Sequence, residues 1–404
     1  MINCRDIFSG PGPVKKALTV YMKYILFTIL CLTACVCRSQ EAQGTDTVSG
    51  MMPVADILVK QKMAALHIPG FEAAAIDGGK IIWTGYYGYQ DLKMKKKVTD
   101  KTIFEAASVS KTLTAAAMMQ LYADGRFKLE DDVNKYLDFK LVNPHFPLAA
   151  ITFGQLLKHT SSIDDNADYL GQFWDANHGD PVIPLGTFIR EYFSFQGKHY
   201  DQEKNFYNYP PGSKAAYSNM GIALLGYLAE RITGTSFERY CKSKLFRPLE
   251  MNCTGWFLRE IDSLTLAMPY SYSDSLKQNQ PWGYGGFPDY PAGGLHTNVQ
   301  ELAHFLIAWT QQGKWGNVQV FDSKAIQTLT PDDFLPAFYT WSKYTTGHGA
   351  VLYMHTGKAN GVSSFISYNP VDKKGLIFIC NGDINTASDW KALIDGLYGN
   401  IFKE

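Results

Sequence analysis

Apolar and polar positions recur along this chain in different rhythms, each predicting a different kind of element. From Met52 to His67 the apolar residues fall at helical spacing and stop at Ile68-Pro69-Gly70, which predicts a helix followed by a turn. Phe71 to Ile76 and Lys80 to Tyr87 are β-prone runs joined through Asp77-Gly78-Gly79, the signature of a hairpin. Small residues then lead from Phe104 through Ser108 into a strong helix-forming stretch that ends at Ala123-Asp124-Gly125. Thr152 to Ser161 reads as a helix ending in a polar turn, and Asp164 to about Pro211, rich in Tyr, Asn, Asp and Phe, reads as short helices and loops. A loop at Pro210–Ala216 delivers Tyr217 and Asn219 to a helix that runs through Leu224, Leu225, Leu228 and Ile232 to Gly234. Near the end, Val351 to Lys358 and Asn360 to Tyr368 are apolar and β-prone with glycines between them, and Ala387 to Phe402 reads as a helix.

Composition narrows the class. With 404 residues, 46% hydrophobic and 14% aromatic, the chain buries a large core as one big domain or two to three smaller ones. Lys plus Arg and Asp plus Glu both number 38, so nothing calls for a nucleic acid partner. The run Lys93-Met94-Lys95-Lys96-Lys97 reads as a solvated turn.

Residues 1–40 read as a leader rather than as fold. Lys15, Lys16 and Lys23 precede an apolar run from Tyr24 to Cys37, the charged and apolar regions of a secretory signal, too short to span a bilayer comfortably. Met22-Lys23-Tyr24 resembles a signal-peptide start. Leu32-Thr33-Ala34-Cys35 resembles the bacterial lipobox, under which Cys35 is lipidated and anchors an exported, periplasmic or cell-surface protein. The competing reading is cleavage a few residues later with release of a soluble protein. A polar linker over 41–51 follows, then one domain over 52–404. Outside the leader only Cys241, Cys253 and Cys380 remain, enough for one bridge, most simply Cys241 to Cys253, and no spacing suggests zinc or another metal.

Candidate chemistry sits in three places. Lys111 follows Ser108 by three residues, so on a helix the two share a face and the amine reaches the hydroxyl. A serine needs such a base to become a nucleophile, although Ser is also a preferred helix cap. Tyr217 and Asn219 form the second place: a phenol near an ammonium can serve as base and acid, while Ser218 or Asn219 can equally cap the helix. His355-Thr356-Gly357-Lys358 forms the third, on a β-prone segment whose backbone could pair with a substrate and supply an oxyanion N–H. The short patterns are weak alone, because Ser388-Asp389-Trp390-Lys391 repeats the first and Tyr398-Gly399-Asn400 the second.

Order separates the two sets. Ser-x-x-Lys at Ser108, Tyr-x-Asn at Tyr217 and His-Thr-Gly at His355, in that sequence, resemble the three active-site motifs of the serine β-lactamase and penicillin-binding protein family, most closely its class C branch; both repeats fall after His355. Ile103–Ser108, Leu156–Ser161, Pro248–Met251 and Pro291–Leu295 also look like that family, over about residues 52 to 402. The resemblance implies an α/β (α+β) fold of the β-lactamase/transpeptidase type: a mainly antiparallel sheet built from both ends of the chain and covered by helices, with a helical lobe at roughly 125–290. It implies an acyl-enzyme on Ser108, Lys111 as its partner and Tyr217 as general base and acid. Asn219, His355, Thr356, Gly357 and Lys358 would bind substrate, the Ser108 and Lys358 N–H groups would form the oxyanion hole, and no cofactor is implied. His355 departs from the class C pattern, which usually has lysine there: a lysine offers a fixed charge to a substrate carboxylate, whereas a histidine near neutral pH is only partly charged. Such a family acts on amides or esters of small molecules or peptides, and a chain keeping the fold could alternatively capture ligand without turnover.

Overall fold

The computed structural model describes residues 52–174, 179–329, 337–338 and 340–403; the leader with Cys35 and the 41–51 linker lie outside them. The main sheet has eight strands: β1 (Gly70–Asp77), β2 (Lys80–Asp91), β3 (Lys96–Lys97), β4 (Ala337–Phe338), β5 (Trp341–Thr345), β6 (Val351–Ala359), β7 (Val362–Tyr368) and β8 (Gly375–Cys380). Their order is β4-β5-β6-β7-β8-β1-β2-β3 with every pairing antiparallel, so strands from the two ends of the domain meet where β1 pairs with β8, Phe71 opposite Cys380. The predicted hairpin is present, with β2 running four residues further than expected. The basic run turns and forms the short edge strand β3, where Lys97 lies 3.7 Å from the centre of the Tyr89 ring; lysines on an edge discourage pairing with other chains.

Two cores follow from the period of two in the strands. Phe71, Ala73 and Ala75 face one side with Trp83, Phe365 and Phe378, and are covered by helices α1 (Pro53–Ala65) and α5 (Ala387–Phe402). Ala74 and Ile76 face the other side with Ile366, Ile377 and Ile379, where the larger core holds α2 (Ser110–Ala123), α3 (Asn219–Thr233) and α4 (Val299–Thr310). α2 is buried on nearly every side from Ser110 to Met119. Its alanines let neighbours approach closely, and its polar side chains are satisfied: Ser110 and Thr112 donate to Ala107 and Val109 carbonyls, Thr114 to Pro291.

Four short helices outside that set, Phe153–Leu157, Ala167–Trp174, Leu185–Phe193 and Phe237–Cys241, fall in the stretch expected to be helical, which also contains a β-hairpin, Tyr270–Ser273 with Gln278–Pro281. Thr152 and Gln155 form a reciprocal capping box on the first of these helices. No disulfide joins Cys241 to Cys253: the Cys241 side chain is in the core, and the Cys253 N–H donates to Glu301.

Candidate active site

Ser108 does not open an α-helix directly. It is the middle residue of a single 3₁₀ turn, Ala107–Val109, from which α2 continues. Ala107 holds φ +44°, a left-handed conformation uncommon for a residue with a Cβ, and it sets the entry of the chain into the turn. The segment Pro291–Leu295 straps this start in place: Ala106 N–H donates to the Leu295 carbonyl, and Leu295 N–H to Ser110 Oγ.

Lys111 is fully buried, and its Nζ reaches three oxygens: Ser108 Oγ at 3.0 Å, Asn219 Oδ1 at 2.7 Å and the Ala292 carbonyl at 2.6 Å. An ammonium donates to all three. A neutral amine donates to the two carbonyl oxygens and accepts from the serine hydroxyl with its lone pair. The same heavy-atom positions therefore suit both protonation states, which is what a proton exchange between Ser108 and Lys111 requires.

Asn219 is the first residue of α3, which Ser218 caps by accepting from Gly221 N–H. A partly buried carboxylate, Asp165, gathers the rest of this helix start. It accepts from Ser218 Oγ (2.9 Å), Asn219 N (2.8 Å), Asn219 Nδ2 (2.9 Å) and Met220 N (2.9 Å). Burial raises its pKa above the usual carboxylate range while these hydrogen bonds and Lys111 oppose the rise. Asp289, buried nearby and bonded by Trp174 Nε1 at 3.2 Å, is pushed up to about 6 by burial and by Asp165.

Tyr217 stands just before α3, half exposed, with its ring centre 4.8 Å from Lys111 Nζ. It lies between two imidazoles, 4.7 Å from His159 and 6.3 Å from His355 between ring centres. Among the described residues no hydrogen bond links its phenol to Ser108 or Lys111. Burial and the Lys111 charge push both His159 and His355 down to about 3, so both are neutral at physiological pH. His355 Nδ1 donates to the Thr356 carbonyl at 2.6 Å, which leaves Nε2 as an acceptor; His159 Nδ1 accepts from Ser218 N–H at 3.2 Å, which leaves Nε2–H as a donor, buried and without a partner among the described residues. The partial positive charge expected of a histidine at position 355 is thus absent at neutral pH, because burial beside an ammonium disfavours a second cation.

The strand carrying His355 closes the site. β5 pairs with β6 only as far as Ser342 opposite Met354, whereas β7 pairs along β6 to Ala359. His355 to Ala359 is therefore an open edge among the described residues, and the Ser108 turn packs against it. Gly357 permits this contact. A Cβ there would lie 2.1 Å from Ser364 Oγ, 2.5 Å from the Ala106 carbonyl and 3.1 Å from Ser108 N. The Lys358 side chain turns away to Asn385 Oδ1 at 2.6 Å, so it brings no ammonium to Ser108.

Residues 55–395 match the family model described as Beta-lactamase. The chain belongs to the beta-lactamase family. Protein flp of Staphylococcus aureus (strain MRSA252) is 25% identical over 327 residues, 81% of this chain and 62% of that protein, so the match spans less than two thirds of the curated relative. Among solved structures, the octameric penicillin-binding protein homologue from Pyrococcus abyssi superposes with TM-score 0.71 at 24% identity over 88% of this chain and 78% of that one. A class C beta-lactamase superposes with TM-score 0.67 at 18% identity over 86% and 95%. The fold is that of the beta-lactamase family's serine hydrolases. Within it, the fold brings together Ser108, Lys111, Tyr217, Asn219, His355 and Gly357 as the motifs imply. Asp165, His159, Asp289 and the Ala292 carbonyl join them without having been singled out from the sequence as site residues.

Proposed function

We propose that this chain is an exported serine hydrolase that cleaves an amide or ester through an acyl-enzyme on Ser108. The reading rests on one observation, the buried Lys111 amine 3.0 Å from Ser108 Oγ with two further acceptors fixing its direction. Ser108 Oγ attacks the substrate carbonyl and its proton passes to the base side of the site, Lys111 with Tyr217 beside it. N–H groups of Ser108 and Lys358, on either side of the contact made at Gly357, would receive the oxyanion. Collapse returns the proton to the leaving amine or alcohol, and water then frees the acyl group from Ser108. Asn219, His355 and Thr356 border the substrate, a small molecule or peptide such as a D-amino-acid peptide, a small ester or a β-lactam. With His355 neutral and the Lys358 side chain turned to Asn385, the edge lacks the cation of the class C pattern, which favours substrates whose binding does not depend on a carboxylate there. Export, and anchoring to a membrane through Cys35, rest on the leader sequence alone.

A second reading, capture of a ligand without turnover, is favoured by the Tyr217 phenol having no hydrogen bond to Ser108 or Lys111. One experiment separates them. The protein is incubated with a fluorescent penicillin and with a chromogenic acetate ester while intact mass is followed over time. Adduct formation and clearance with product release supports the hydrolase; one equivalent of persistent adduct supports capture; no adduct on Ser108 with either probe removes both.

A further inference from the structure

The amide of Asn219 is a two-ended group, oxygen at one end and NH2 at the other, and the two ends are not equivalent for Lys111. With the oxygen inward, Lys111 has its three acceptors. With the NH2 inward, a donor would face a donor at the fully buried Lys111, which would keep only Ser108 and Ala292. The residue that distinguishes these arrangements is Asp165, which stands on the far side of the amide and accepts from Nδ2 at 2.9 Å.

We infer that Asp165 is a positioning residue for the acylation step: by holding Asn219 Nδ2, it keeps the amide oxygen on Lys111 and so keeps the Lys111 amine aimed at Ser108. The inference rests on the acyl-enzyme reading of Ser108. The plainer role of Asp165 is to cap α3, since it also accepts the Asn219 and Met220 backbone N–H groups that a helix start leaves unpaired. Capping does not account for the fourth bond, to the side chain of Asn219, nor does it need a carboxylate, because Ser218 already caps the same helix. The carboxylate also acts on Lys111 through charge. The charged and titratable groups around that ammonium are Asp165, Asp289, His159, His355 and Tyr217. With both imidazoles neutral, the two acids are its nearby counter-charges.

The test measures phosphonylation of Ser108 by an alkyl fluorophosphonate, which reports serine reactivity without a known substrate, across pH in the full chain. In Asp165→Asn a single oxygen remains for the four donors that the carboxylate now takes, so the Asn219 amide is no longer held in one orientation. The plateau rate is expected to fall tenfold or more. The pH profile of labelling is expected to change as well, because the site has lost a negative charge, which loss of a cap alone would not reproduce. Asp289→Asn, which touches no bond of α3, should also alter the pH profile, with a smaller loss of plateau than Asp165→Asn. A Ser218→Ala variant, which weakens the cap but leaves the Asn219–Asp165 bond, should lower Tm and leave both kinetic readouts in place. Unchanged plateau and pH profile in a folded Asp165→Asn protein would reduce Asp165 to a cap and overturn the inference. A neutron density map of wild-type crystals decides the same point even if that variant does not fold: deuterons of Asn219 Nδ2 toward Asp165 support the inference, and deuterons toward Lys111 overturn it. Failure of the wild-type protein to label Ser108 would instead remove the acyl-enzyme reading, and the inference with it.

Discussion

Ser108-x-x-Lys111 and Ser388-x-x-Lys391 both lie at a helix start, and both place an amine one turn beyond a hydroxyl. Around the first, α2 is enclosed, and Lys111 is buried with three oxygens in reach. Around the second, α5 lies on the outside of the sheet, Ser388 is exposed beside Thr386 Oγ1 at 2.9 Å, and Lys391 pairs with Asp395 one turn further on at 2.6 Å. Tyr-x-Asn divides in the same way. Tyr398 is buried in the core and Asn400 is exposed, bonded to its own helix at the Gly396 carbonyl, whereas Tyr217 and Asn219 both turn toward Lys111. Spacing creates the opportunity for chemistry, but desolvation and the positions of acceptors decide whether an amine is a partner for serine or a solvated surface charge.

The comparison breaks first at the serines. Ser108→Ala should reduce fluorophosphonate and acyl labelling to background with Tm little changed, while Ser388→Ala labels like wild type; labelling of Ser388 would reverse the assignment. At the lysines, Lys111→Met should slow acylation by roughly 10²–10⁴-fold, the range for loss of a general acid–base group. Lys391→Met breaks an exposed ion pair and should cost less than about 1 kcal/mol on a denaturant melt, with kinetics untouched.

Gly357 tests the contact that the second Ser-x-x-Lys lacks, the open edge of β6. Gly357→Ala forces a Cβ into Ser364 and the Ala106 carbonyl, so a loss of about 1–3 kcal/mol and a marked drop in acylation are expected together. Unaltered kinetics would mean that the edge does not set the Ser108 turn.

The buried imidazoles around the site predict a pH dependence of stability. His159 and His355 are held down at about 3, below the ordinary value of 6.5 in the unfolded chain, so between these values the unfolded state binds more protons. Their contribution is fully present above pH 6.5 and is lost as pH falls toward 3, on the order of a few kcal/mol over that window. Glu105, pushed up to about 8 by burial, acts in the opposite sense, and its contribution is lost as pH rises from about 4.5 through 8. Melting curves of wild type and His355→Gln from pH 3 to 7 check this; the variant should lose less stability on acidification, and parallel curves would place a charged imidazole in the folded protein. The smallest effect is at Ala107: replacing it by glycine should relieve its positive φ and raise stability by no more than about 1 kcal/mol, because glycine also gains freedom in the unfolded chain.

Much of this was legible in the sequence because it depends on local pattern. The 71–87 hairpin, α3 with its stop at Gly234, the β6 and β7 pair and α5 all occur where periodicity and turn residues put them. Ser108, Lys111, Tyr217 and Asn219 were legible through their order. Asp165 was not, because it lies in a stretch without periodicity and gains its meaning from donors that sit more than fifty residues later. The Ala292 carbonyl left no side-chain trace at all. The environment of His355 was also hidden: its residue type suggested partial charge, and only packing against Lys111 removes it.

The pairing of β1 with β8 has a consequence for how the protein is made. Phe71 and Cys380 are neighbours in the sheet but roughly three hundred residues apart along the chain. A ribosome that has released β1 and β2 must synthesise nearly everything else before their central partner exists. Until then the apolar faces of the early hairpin have no sheet to join, and non-local pairing of this kind is slow even once the chain is complete. If the leader directs the chain to an export machinery that requires it unfolded, this delay is useful: a sheet that cannot close before its last strand is synthesised keeps the polypeptide open for transport.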